Sequence, residues 1–275
     1  MFRKDLALIA IMVVALTFTS AFAGIDQIAI FNENVGWTTV AAAKEATDQI
    51  VASVKSAKSV KVLNKAGIAD FIKSTHDDGT VDAVILFGYL PETVYTPGNS
   101  QKDDSLIEQF IVGGNIVLNA ADYIFYVTLG GGANGADGLK TITNSAFDCW
   151  GDGNVCKPTA DGKKYVPSLL AEYPAQRPMK LEQVKADKNW EVEVAFGSSA
   201  DGKLLDPAVI KSTTHGGRFV VVRQTPAAAP DRGKVFSEII DNFFGPTVAS
   251  VDPVAKIATA WEISREIISS NSFFN

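Results

Sequence analysis

One segment, Val81–Val127 (VDAVILFGYLPETVYTPGNSQKDDSLIEQFIVGGNIVLNAADYIFYV), constrains the fold of this chain more than any other. Two apolar, β-rich runs flank a polar loop and a short helical stretch that ends in Gly113-Gly114. A helix joining two buried strands makes a parallel β–α–β unit with a right-handed crossover. Residues just past each strand then line the sheet edge where doubly wound folds bind their ligands. Phe87, Gly88 and Tyr89 stand there after the first run, and Asn119, Asp122 and Tyr123 after the second. None of them is Cys, Ser or His, so the segment speaks for architecture more than for chemistry.

The same grammar continues on both sides. Gln27–Phe31 reads as a buried opening strand, followed by the turn Asn32–Trp37 and a helix over about Val40–Ser56 capped by Thr38 or Thr39. Val60–Leu63 is a second strand, Ile68–Lys73 a short helix, and Asp104–Val112 the helix inside the β–α–β unit. Strands alternating with helices predict an α/β fold: a flavodoxin-like, doubly wound, mainly parallel sheet. A loop-rich insertion is expected over about 144–180. Beyond it come a half-exposed strand (Trp190–Phe196), a hairpin around His215-Gly216-Gly217, and a helix over Val235–Phe244. Gly245-Pro246 should end that helix, leaving a helical tail over 246–275 with Val254, Ile257, Trp261 and Ile268 along one face.

The N-terminus carries a separate message. Arg3 and Lys4, an apolar run from Leu6 to Phe18, and Ala21-Phe22-Ala23 describe a secretory signal peptide over residues 1–23. The α/β domain is then expected over 24–245, in a secreted or periplasmic protein with no membrane association after cleavage. Net charge is −6 and no Lys/Arg run occurs, so nucleic acid is not an expected partner. Cys149 and Cys156 are the only cysteines. In an oxidising compartment so close a pair is expected to form a disulfide, whose short loop gives about 2–3 kcal/mol.

The ordered set DAVILFG (Asp82–Gly88), FIVGGNIVLNAADY (Phe110–Tyr123), GGRFVVVRQTP (Gly216–Pro226) and GKVFSEIIDNFF (Gly233–Phe244) resembles the class I glutamine amidotransferase-like superfamily. Within it the chain is most similar to the ThuA-like (trehalose-utilisation) group and its exported relatives, over roughly Ile25–Phe244. The resemblance implies a nucleophilic Cys on the turn after the fourth strand and a His after the late strand. Here Leu118-Asn119-Ala120-Ala121-Asp122 and Thr225-Pro226-Ala227 stand in those places. A nucleophile needs its base within hydrogen-bond reach; with neither present, glutamine hydrolysis is not expected.

Other chemistry is weighed residue by residue. Asp122, with Glu33 from the first turn, is the candidate acid/base pair; the plainer alternative has Asp122 bonded to backbone and Glu33 solvated. Trp37, Tyr89, Tyr95 and Tyr123 are candidates for an aromatic rim suited to a sugar or other polyol, with Asn119 and Asn99 supplying amides, or for rings that close the core beneath the loops. The loop Pro97–Gln101 is a candidate polar lid. Gly130–Gly135 matches G-x-G-x-x-G but does not follow the first strand, so it reads as a hinge or small anion nest rather than a nicotinamide site. His76 and His215 lack clustered partners for zinc, and Asp148, Asp152 and Asn154 lack the closing Glu of a calcium loop. No cofactor and no metal are expected. Three functions remain open: an exported domain binding a small polar, carbohydrate-related ligand; a hydrolase or lyase using Asp122 and Glu33; and a non-catalytic module that self-associates or docks a partner through its C-terminal helix.

Overall fold

The computed structural model describes residues 24–100, 103–121, 123–222 and 232–248. Its first half follows the expected order: β1 (Gln27–Phe31), α1 (Val40–Ser53), β2 (Ser59–Val62), α2 (Lys65–Thr75), β3 (Ala83–Leu86), α3 (Leu106–Val112) and β4 (Ile116–Asn119). Local chemistry sets the boundaries. Thr39 and Asn64 accept the Ala42 and Gly67 N–H groups at the starts of α1 and α2, and Ser105 with Glu108 forms a capping box on α3.

After β4 the chain forms a small hairpin, β5 (Val127–Thr128) and β6 (Gly132–Ala133), and then α4 (Asp137–Thr143). The glycine-rich segment is thus a turn of regular structure rather than a hinge. The insertion also departs from expectation. It carries β7 (Asn154–Pro158), α5 (Ala160–Tyr165), β8 (Tyr173–Ala175) and β9 (Met179–Lys180), followed by α6 (Leu181–Ala186). With β11 (Gly197–Ser198) and β12 (Leu204–Leu205) these strands make a five-stranded sheet ordered β8-β7-β11-β12-β9. Strands of two to five residues, two of them with Pro, leave little periodic signal in the sequence.

The main sheet is completed by β10 (Trp190–Ala195), β13 (Ala208–Ser212) and β14 (Arg218–Val221), in the order β10-β13-β14-β4-β3-β1-β2. Pairings from β2 through β14 are parallel, and those of β14 with β13 and β13 with β10 are antiparallel. Successive strand residues point to opposite faces. Ile28, Ile30, Ile85 and Leu118 pack under α1, α7 (Arg232–Glu238) and the π-helical turn Ile239–Phe244. Ala29, Phe31, Val84, Leu86 and Val117 pack under α2, α3 and α4. Helices thus cover both faces. Arg218 on β14 reaches across β13 to Glu193 on β10 through two bonds of 2.6 and 2.7 Å, fixing the antiparallel extension to the parallel core.

Gly245-Pro246 does not end the last helix: α8 (Gly245–Val248) continues directly from the π turn. The Gly245 N–H bonds to Ile240 O, and Pro246 falls in the first turn of the new segment, where its missing N–H costs nothing. The signal-peptide reading and the helical tail from 249 onward lie outside the described residues. Among the described residues no helix is long and apolar enough to cross a membrane.

Candidate functional site

The C-terminal edge of the parallel strands is where the sequence placed a site. The strand order reverses between β1 and β3, so the loops after these two strands should part and leave a crevice. Instead they touch. The Gly36 N–H donates to Phe87 O at 2.9 Å. Gly88, at φ +101°, lies so close that a methyl group there would stand 2.6 Å from Gly36 O and 3.0 Å from the Ala121 methyl. Asn119 locks the arrangement from below: its Oδ1 accepts the Gly88 N–H at 3.2 Å and its Nδ2 donates to Ala121 O at 3.4 Å. Asn119, Ala120 and Ala121 are fully buried, so these three residues offer no opening at the turn after β4.

Above this closed seam stands a cluster of five rings. Trp37 lies 4.6 Å from Tyr123 in a tilted stack and meets Tyr89 and Tyr126 edge-on, each at 5.7 Å. Tyr123 and Tyr126 both meet Trp150 edge-on, at 5.4 and 6.1 Å. The Arg177 guanidinium covers the Tyr123 ring at 3.6 Å and approaches Trp150 at 5.0 Å. Arg177 is held in turn by its N–H to Gly151 O at 2.8 Å and by an ion pair with Asp152 at 3.1 Å. Arg177 is buried, Tyr89, Tyr123, Tyr126 and Trp150 are half-buried, and Trp37 keeps 36% of its surface in solvent.

Backbone strain concentrates at the same place. Trp37, Tyr123 and Arg177 all have left-handed backbones, with φ of 55, 53 and 53°. Each costs about 1–3 kcal/mol for a residue with a side chain, and such conformations collect at ligand clamps and active sites. The enclosed space beneath is small: a cavity of about 20 Å³, room for about one water, lined by Tyr123, Tyr126, Leu139, Cys149, Trp150 and Arg177.

The structure redistributes the residues singled out in the sequence. Trp37, Tyr89 and Tyr123 do come together. Tyr95 does not join them; it is buried, and its hydroxyl donates to Asn99 Oδ1 at 2.8 Å. Asn99 also donates to Asn134 O at 2.6 Å, and Gly98 N–H to Asn134 Oδ1 at 2.9 Å. The Pro97–Asn99 turn is therefore pinned to the β5–β6 hairpin rather than free to act as a lid. Glu33 is exposed and accepts the Lys65 N–H at 3.3 Å, at the start of α2. Asp122 and Thr225–Ala227 lie outside the described residues.

Cys149 and Cys156 are both free, so the expected disulfide is not present. They belong to different hydrophobic clusters, Cys149 with Leu139 and Phe147, Cys156 with Tyr173 and Phe196. Burial pushes both thiols up, Cys156 to about 12, and the nearby Asp206 carboxylate adds to it. Two contributors were missed because they lie in the insertion read as loop: Trp150, one residue from Cys149, and Arg177. Tyr126, just beyond Tyr123, is a third contributor that the sequence did not single out. No group of three or more metal-ligating side chains is found among the described residues.

No protein family and no curated protein matches the chain. Among solved structures, a ThuA-like protein from Bacteroides uniformis is similar, with a TM-score of 0.43 and 10% sequence identity over 80% of this chain and 89% of that one.

Proposed function

We propose that this chain is an exported, non-catalytic binding domain on an amidotransferase-like scaffold, and that its ring cluster takes a small polar ligand of carbohydrate type. The strand order β2-β1-β3-β4-β14 supports a flavodoxin-like reading of the parallel part. The observation that carries the function is the half-exposed cluster of Trp37, Tyr89, Tyr123, Tyr126 and Trp150, braced by Arg177 and built on three left-handed residues. Flat rings stack on the apolar face of a pyranose, while phenol hydroxyls and indole N–H groups bond its rim. The hydrolase or lyase alternative has little support at Glu33, whose carboxylate is engaged at α2.

The docking-module reading, which places the partner on the C-terminal helix, is favoured by the closed seam between the β1 and β3 loops, since no hole for a substrate is left there. Isothermal titration of a panel of neutral disaccharides separates the two. We expect millimolar to micromolar binding of at least one sugar, weakened about tenfold or more by Trp37→Ala with an unchanged melting temperature. No sugar binding, together with self-association that truncation at Gly245 abolishes, would favour docking.

A further inference from the structure

A second cavity, of about 160 Å³, opens at the opposite edge of the sheet. It lies between α3, the end of α4, the start of β10 and the turn joining β13 to β14. Three exposed polar residues, Asn144, Asn189 and Thr214, stand at its mouth. Its lining is mixed, with Ile111, Val112, Ile142 and the buried Trp190 supplying the apolar part. Trp190 is fixed there by its indole N–H, which donates to Thr143 O at 2.8 Å.

One charged group lines this wall: Glu108, only 4% exposed. Its capping role on α3 uses Oε2 alone, which accepts from Ser105 N–H at 3.1 Å and Ser105 Oγ at 2.6 Å. No hydrogen bond or ion pair reaches Oε1 from any described residue. Oε1 is not sealed from solvent, so a ligand N–H group at this wall would replace water as its donor. Asp103 and Asp104 make the surroundings more negative, and no Lys or Arg lines the cavity. His215, also on the lining, is already committed: its Nδ1 accepts the Gly217 N–H at 3.3 Å, and burial holds the ring neutral. It therefore neither neutralises Glu108 nor repels a cation.

We propose that this cavity is a second binding site, for a small organic ammonium whose N–H groups bond Glu108 Oε1 and whose carbon skeleton packs on Trp190, Ile142 and Val112. The volume limits the ligand. A cavity of about 150 Å³ holds one benzene ring, so an amine of benzylammonium size fits and a nucleotide does not. The excess negative charge of the chain favours the same sign of ligand at long range.

The test uses the full chain and three probes of nearly one shape: benzylammonium, benzyl alcohol and benzoate, followed by calorimetry and by Trp fluorescence. Saturable binding of benzylammonium is expected, with the alcohol and the carboxylate at least about tenfold weaker, as loss of a charged hydrogen bond implies. Glu108→Gln keeps the capping box, since Gln serves at that position, and should weaken benzylammonium by about tenfold or more with the fold intact by circular dichroism. Val112→Lys is the second variant. It sets an ammonium four residues after Glu108 on the same helix face, where the pair attracts, and should block the probe while holding or raising the melting temperature. Equal binding of all three probes, unchanged benzylammonium affinity in Glu108→Gln and Val112→Lys, or saturation by Ca²⁺ but not by benzylammonium would overturn the proposal.

Discussion

At the scale of single residues, two buried ionisable groups make opposite demands on pH. Burial, with help from Asp78, raises Asp82 from its ordinary 3.8 to about 6. The folded state then holds a proton that the unfolded chain has already released, so this contribution is present below pH 3.8 and is lost as pH rises through 6. His215 is the reverse. Burial lowers it from 6.5 to about 4, so its contribution is present above 6.5 and is lost as pH falls through 4. Between pH 4 and 6 the slopes oppose, and the native protein should show a shallow stability profile. Asp82→Asn should expose the rising His215 slope and His215→Asn the falling Asp82 slope, read by urea denaturation at each pH. Parallel profiles for all three proteins would mean that neither group is buried as described. Arg177 offers a second residue-scale prediction: Arg177→Ala should cost about 1–3 kcal/mol through lost stacking and pairing. Arg177→Lys should recover little of it, because an ammonium cannot lie flat on Tyr123 as a guanidinium does.

Between elements, stability rests on contacts too close for a side chain and on one buried ion pair. Gly88→Ala sets a methyl against Gly36 O and fixes an L-residue at φ +101°; melting should report a loss of about 2–4 kcal/mol. Glu193→Ala strands Arg218, which is 3% exposed, and should cost about 3–5 kcal/mol. A fall below about 1 kcal/mol would mean that β10 and β14 are not tied through this pair. Elements with a strong period were the ones legible in the sequence. The continuous apolar runs of β1, β3 and β4 and the cap at Thr39 mark out the parallel core. The antiparallel β10–β13–β14 extension was legible too, through Trp190–Phe196 and the His215 turn. What escaped was built from short pieces: β7, β8 and β9 in the insertion carry too few residues to show alternation. The helix over Val235–Phe244 was legible, but its continuation past Gly245 was not, since a π turn lets Pro246 fall where it does no harm.

For the whole molecule, the candidate site was half legible. Trp37, Tyr89 and Tyr123 follow strands whose order could be inferred, so their edge of the sheet could be inferred with them. Trp150 and Arg177 come from the insertion, and only its folding onto the sheet brings them over Tyr123. The crevice that fold rules lead one to expect is closed by the Gly36–Phe87 bond, which is why the proposed binding surface lies further out, on the rings. The chain has four tryptophans, and three of them mark the two sites: Trp37 and Trp150 at the ring cluster, Trp190 at the second cavity. Indole N–H resonances of the ¹⁵N-labelled protein, followed while disaccharides are added, therefore report on the cluster directly. Saturable shifts at Trp37 and Trp150 with Trp190 silent are the predicted result. Shifts at Trp190 alone, or no indole shift for any sugar at concentrations that reveal millimolar affinity, would contradict a ligand-binding role for the ring cluster.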